Sequence, residues 1–289
     1  MNHHFLKKTH FQQRLYSHKG ILNSLGFENE VDLRCYEPSP EMAAYVDVYF
    51  VARWKRAGQS YIAADILTKP VVNLFFTSRG AFMQGPVTGV RRFKVNQSGV
   101  YAGVKFKPGA FYAFSPRSYV NETVSLESIF QEATPAFNDE LLELAEDDEI
   151  LERIDLLLRR RSPRAYSKLE LITKAIAAID VNPDYSIRLL AQKCGVSERT
   201  LQQVFQRHVG VGIKWAMMRL RLLRAMEHSL RGKPNWTIVA AELNYSTQSH
   251  FINDFRRYIG VSPSHYVKLI QSNTLEPLAQ QNDSLTVIL

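Results

Sequence analysis

Leu190-Ala191-Gln192-Lys193-Cys194-Gly195-Val196-Ser197 and Val239-Ala240-Ala241-Glu242-Leu243-Asn244-Tyr245-Ser246 are one pattern written twice. The first copy continues to Leu201, Phe205 and Gly210, the second to Phe251, Phe255 and Gly260. The turn residues stand 244 − 195 = 49 positions apart, the phenylalanines 255 − 205 = 50. One residue has therefore been added in the second turn, and the helix after it keeps its register. An apolar pair, a tight turn, a capping hydroxyl and a helix with an apolar stripe make a helix-turn-helix unit. Two such units are expected in tandem, over about 187–208 and 237–258.

Local chemistry supports each step. Ser186 is a good N-cap for a short helix ending at Cys194, Gly195 supplies the positive φ of the turn, and Ser197 caps the next helix. Asn244 stands where the second copy needs that turn residue, and Asn tolerates the left-handed region better than most residues. Leu169, Ile172, Ala175, Ile176 and Ile179 form the stripe of a scaffold helix before the first unit, and Lys214 to Leu230 reads as one long helix joining the two.

On a helical wheel Leu201, Val204, Phe205 and His208 share one face and point to a core, as Cys194 does. Arg199, Gln202, Gln203 and Gln206 lie on the other face. In the second unit Phe251, Phe255 and Tyr258 face in, while Ser249, Ile252, Asn253, Arg256 and Arg257 face out. Such a polar set suits base edges in a major groove: Arg pairs with guanine, Gln with adenine, and Ile252 can touch a thymine methyl. A joining helix of about 18 residues is roughly 27 Å long. Successive major-groove faces lie about 34 Å apart, so both outward faces reach one side of a duplex. Lys214, Arg221, Arg224, His228 and Arg231 form a basic flank on this helix, read either as phosphate contacts or as a solvated face.

The chain has 289 residues, enough for two domains, with a net charge of +8. The excess is concentrated in the last third, read either as a match for a polyanionic partner or as a surplus that serves solubility. Cys35 and Cys194 are the two cysteines, too few for a disulfide framework. No signal peptide opens the chain and no apolar run is long enough to span a membrane, so a cytoplasmic location is expected. His3, His4, His10 and His18 are spaced too irregularly for a metal site. There is no phosphate-cradling glycine loop, nucleophile elbow or activated cysteine, and neither enzymatic activity nor a cofactor is expected.

Upstream, residues 1–30 read as a short helix or loose arm. From 31 to 106 short β-rich runs, Leu33–Tyr36, Val46–Trp54, Val71–Thr77 and Val100–Phe106, are separated by turn residues. In the last run Val100, Ala102, Val104 and Phe106 alternate with Tyr101, Gly103, Lys105 and Lys107, one face inward and one outward. Leu126–Phe130, Phe137–Leu144 and Ile150–Leu158 have helical spacing. Glu140 to Glu152 reads as a solvated acidic face. The expected architecture is an α+β N-terminal domain, a small β-barrel or sheet plus helices, followed by the all-α tandem module. Domains are placed at 1–160 and 166–270, with a basic linker at 161–165 and a tail at 271–289 that lacks a strong period. Tyr49, Phe75, Phe82 and Tyr101 are read either as core or as the lining of a pocket.

The C-terminal residues resemble the AraC/XylS family of bacterial transcription regulators. The resemblance covers about 100 residues, from Leu171 to Ile270. It rests on the first-unit pattern, on Arg221-Leu222-Leu223-Arg224-Ala225 and on the ending Gly260-Val261-Ser262-Pro263-Ser264-His265-Tyr266. It implies two reader helices in adjacent major grooves of promoter DNA and recruitment of RNA polymerase. By motif position, Arg199, Gln202 and Gln203 fall on the first reader helix, and Gln248, Ser249, Ile252 and Asn253 on the second. Asn244-Tyr245 departs from the family's usual Gly-Phe. Gln84-Gly85-Pro86-Val87-Thr88 and Gly103 to Ala110 resemble an uncharacterised sensor domain that often precedes such modules, implying binding of a small-molecule effector or formation of a homodimer. The alternative is a protein-interaction module with no small ligand.

Overall fold

A computed structural model describes residues 11–14, 21–22, 30–55, 62–95, 98–182, 185–230, 234–271 and 286–288. His3, His4, His10, His18 and Arg231 lie outside the described residues.

The N-terminal half is built on two sheets. β1 (Gln13–Arg14), β2 (Asp32–Tyr36), β3 (Val46–Trp54), β5 (Asn73–Thr77), β6 (Gly80–Gln84), β8 (Gly99–Phe106) and β9 (Thr123–Ser125) form one sheet in the order β1-β2-β3-β8-β5-β6-β9. β4 (Ile62–Ile66) and β7 (Arg91–Val95) pair in a second sheet, which β10 (Thr286–Ile288) completes. The turn Ser78-Arg79 closes the β5–β6 hairpin, with Thr77 opposite Gly80. Four strands follow the β-rich runs of the sequence; β4, β6, β7 and β9 had no comparable signal.

Three expectations change here. Residues 11–14 and 21–22 do not form a loose arm: β1 pairs with β2, Ile21 bridges to Ile66, and Leu22 is fully buried. The tail returns to the N-terminal domain, where β10 runs parallel to β7 with Thr286 opposite Arg92. Tyr101 is buried, because the face of β8 read as outward is covered by the second sheet.

That covering makes a layer of rings between the sheets. Phe75 lies within 5.2–6.4 Å, centroid to centroid, of Phe50, Phe82, Phe93 and Tyr101, and Trp54 joins through Tyr101. The other face of the large sheet packs on α1 (Pro135–Leu142) and α2 (Asp147–Arg160) through Leu74, Phe76, Val104, Leu141, Ile150 and Ile154. Tyr49 is on this second face, so the four aromatics read together in the sequence divide between two cores. Leu126–Ser128 is a short 3-10 turn, not an α-helix.

A carboxylate sits in the sheet–helix core. Asp155 accepts hydrogen bonds from Ser39 and from Tyr49, each at 2.7 Å, and pairs with Arg159 at 2.8 Å. Burial and the neighbouring charge push the Tyr49 phenol up, so it stays a neutral donor. The acidic helix face is mostly solvated, except that Asp147 binds Tyr36 and Arg53.

The C-terminal half is helical: α3 (Lys168–Val181), α4 (Ile187–Cys194), α5 (Glu198–Val204), α6 (Ile213–Leu230), α7 (Trp236–Glu242), α8 (Gln248–Ile259) and α9 (Pro263–Gln271). After α5 the chain continues in a π-helical turn, Phe205–Val209, that ends at Gly210 with φ 90°. One apolar core runs from α3 to α9, with Phe205, Phe251, Phe255 and Tyr266 almost fully buried. It also takes in Leu22, Leu67 and Val90 of the N-terminal half, so the two halves share a seam. Arg164, in the basic connection, donates its backbone N–H to Ala113 O at 3.0 Å.

Candidate nucleic-acid interface

The two helix pairs, α4–α5 and α7–α8, are positioned by matching caps. Ser186, Ser197 and Thr247 each accept a hydrogen bond from the backbone N–H three residues on, and Asn235 from those of Thr237 and Ile238. Each such cap stabilises a helix by roughly 0.5–2 kcal/mol. Gly195 has φ 73° and Asn244 φ 55°, the left-handed geometry the turns require. The added residue now has a place. Tyr245 takes the place of Val196, its N–H bonding Ala240 O as that of Val196 bonds Ala191 O, and is buried against Phe251 at 5.3 Å; the added residue is Ser246, and the cap moves one position on to Thr247. Gly210 and Gly260 then end the two readers at φ 90° and 92°.

Arg199, Gln202, Gln203 and Gln206 of the first unit are exposed, as are Gln248, Ser249, Asn253, Arg256 and Arg257 of the second. Neither polar face is covered by the N-terminal domain. Some members are held in place: Gln206 donates to Gly210 O at 3.2 Å, Gln248 accepts from Thr237 Oγ1 at 3.0 Å, and Arg257 lies 5.5 Å from the Tyr258 ring centre. Ile252 differs from its expected outward position. It is half-buried and packs on the shared core, leaving only part of its side chain for a partner. Along α6, Lys214 is exposed and Arg221, Arg224 and His228 are half-buried, with His228 Nε2 3.5 Å from Glu242.

His208 departs further from its reading as a residue of the module's core. It turns to the seam, stacking on Tyr166 at 5.1 Å and meeting Tyr112 at 4.5 Å, with Nδ1 3.1 Å from Val204 O. Burial pulls its pKa down, and the nearby Arg207 and Lys168 act in the same direction. The neutral imidazole is therefore favoured more strongly when the halves are packed than when they part. Packing is then strongest above the ordinary histidine pKa of about 6.5 and weakens as pH falls below it. An NMR titration of the His208 ring should place its midpoint below that of the Tyr112→Ala variant; equal midpoints would contradict this.

Arg219 was not singled out in the sequence. It is fully buried on α6, donating from Nε to Thr68 O at 2.9 Å and from Nη2 to Val87 O at 2.9 Å and to Gly89 O. A signal existed: Trp215, Arg219, Leu222 and Met226 follow an i, i+4, i+7, i+11 apolar register, and an arginine within it is buried or snorkels.

The family model described as a helix-turn-helix domain matches residues 190–269, and one described as a domain of unknown function (DUF6597) matches residues 34–123. The C-terminal module is an AraC-type helix-turn-helix domain. An uncharacterized HTH-type transcriptional regulator of Haemophilus influenzae is 28% identical over 101 residues, 34% of each chain. The invasion protein InvF of Salmonella typhimurium is 30% identical over 86 residues, 30% of this chain and 40% of that protein. The chain thus spans between a third and two fifths of these curated relatives. Among solved structures, ToxT from Vibrio cholerae O395 aligns with 77% of this chain and 98% of its own at 9% identity, TM-score 0.40. The DNA-binding domain of AdpA, solved with a target DNA, aligns with 39% of this chain at 18% identity, TM-score 0.33. The AraC-type domain accounts for the duplicated caps and turns, and no helix among the described residues is long and apolar enough to cross a membrane.

Proposed function

We propose that this protein is a sequence-specific regulator of transcription that reads two adjacent major grooves of promoter DNA, and that its N-terminal domain controls the reading. The observation that carries the proposal is the pair of exposed polar faces, Arg199-Gln202-Gln203 and Ser249-Asn253-Arg256, held by identically capped helices on one core. Gln206, Gln248, Ile252 and Arg257 complete the two faces. Arginine suits guanine and asparagine adenine, while cations toward the ends of both readers, Arg207 and Arg257, lie where phosphates would pass. Regulatory proteins among the relatives fit this reading. Activation through contact with RNA polymerase, a cytoplasmic location and the absence of catalysis belong to the same proposal, as do the domain limits 1–160 and 166–270.

The test begins with selection of a duplex from a random-sequence library on the intact chain. Arg199→Ala and Asn253→Ala should then each lower affinity for the selected duplex by about 1–3 kcal/mol, roughly 5- to 150-fold, while relaxing preference at one or two base pairs. Fluorescence anisotropy against single-base variants reads this. Unchanged affinity and preference in both variants would refute the assignment of the reader helices.

A second reading of the N-terminal domain has its own support. The rings between the sheets fill their layer by mutual contact, an arrangement that needs no small ligand, and this favours an interaction or dimerisation role. Light scattering on the intact chain, with and without metabolite mixtures, separates the two: a dimer indifferent to every mixture supports interaction.

A further inference from the structure

Arg219 joins two parts of the fold that lie far apart in sequence. Thr68 is in the connection from β4 to β5, and Val87 and Gly89 are in the connection from β6 to β7. These two crossovers carry the chain between the large sheet and the small one. Leu67 and Val90, beside the accepting carbonyls, enter the core of the AraC-type domain. One guanidinium on the helix between the readers therefore grips both crossovers at once.

The grip is imperfectly compensated. All three hydrogen bonds go to neutral main-chain oxygens, and Nη1 finds no partner among the described residues. Trp215 supplies a ring face 5.0 Å away. Burial pulls the Arg219 pKa down, as expected of a cation removed from water without a paired carboxylate. Beside it, a groove of about 410 Å³ lined by Lys69, Asp180, Leu220, Leu223 and Arg224 lets water approach the seam. The same contact that joins the halves thus carries a hydration penalty that separation would remove.

The DNA geometry gives this a direction. The readers on either side of α6 must seat together in successive major grooves, whose spacing on a duplex varies with sequence-dependent bending. A module clamped at the middle of its rod follows such variation least. Resting on the DNA-binding reading above, the geometry points to Arg219 as a positioning residue: a latch by which the N-terminal crossovers hold the reader pair in a state of low DNA affinity.

The test uses the full chain and the selected duplex. Arg219→Ala should bind that duplex about tenfold more tightly, within the 5- to 150-fold range of ordinary couplings between sites. Hydrogen exchange at 67–72 and 85–90 should rise at least tenfold while β3 and β8 keep their protection. Arg219→Lys, which retains a cation and part of the bonding, should fall between. Val90→Asp attacks the seam from the other side and should match Arg219→Ala. By reciprocity the duplex should speed exchange at both crossovers in the wild-type chain, a readout that needs no variant to fold. The latch is overturned if folded variants bind within twofold of wild type or more weakly, or if DNA leaves crossover exchange in the wild type unchanged. A wild-type chain that cannot tell selected from scrambled duplex would refute the regulator reading itself. In that case accelerated crossover exchange in Arg219→Ala would still report the seam.

Discussion

Phe205→Ala should destabilise the AraC-type domain by about 3–5 kcal/mol, the usual cost of emptying a fully buried aromatic site. Phe205 is 0% exposed and sits where the first reader helix passes into its π-helical turn, between Leu201 and Val209. The loss combines the transfer of the ring to water with a cavity that the surrounding helices only partly fill. Phe255, its counterpart 50 positions on, is equally buried and should respond alike. Urea unfolding followed by far-ultraviolet circular dichroism measures both. Gln203→Ala, two residues away but exposed, is the control and should stay within about 0.5 kcal/mol of wild type. A Phe205→Ala midpoint matching that control would mean the repeat does not organise the domain's core.

Asp155→Ala should cost a similar amount, about 3–5 kcal/mol, by a different route. The carboxylate is the shared acceptor for Ser39 and Tyr49, and its other oxygen meets Arg159. Removal leaves two hydroxyls in an apolar core with no acceptor; Arg159, partly in water, loses less. Asp155→Asn keeps an oxygen of the same shape and should cost markedly less. Denaturant titration of the two variants separates loss of an acceptor from loss of a charge. Equal penalties would show that charge, and not hydrogen bonding, is what the site requires.

The tandem module was legible because its signals are local. A serine three residues before the amide it caps, a glycine or asparagine at a positive φ, and phenylalanines at helical spacing each act within a turn or two of chain. The added residue in the second turn could be counted in the sequence, and the structure places it after Tyr245, where it moves the cap on to Thr247. What escaped depends on partners far along the chain. Tyr101 reads as outward because alternation cannot show that a second sheet lies over that face. His208 reads as core because a wheel gives a direction but not what stands there, which is Tyr166 and Tyr112 of the seam. Arg219 answers to carbonyls some 130–150 positions upstream, and an acceptor on the main chain leaves no mark in side-chain pattern. β10 was missed for a similar reason: three residues pair only because β7 offers them an edge.

That the oxygens gripped by Arg219 belong to the peptide backbone has a consequence for how such proteins can diversify. A side-chain replacement at Thr68 leaves the acceptor in place, so the joint asks only that the new side chain fit the same buried site. What the joint does feel is track length. Inserting or deleting a single residue in either connection would shift the oxygens out of reach as surely as losing the arginine. A foreign N-terminal half grafted onto this module should therefore form the same joint when its two connections follow the same path and keep apolar residues at the positions of Leu67 and Val90.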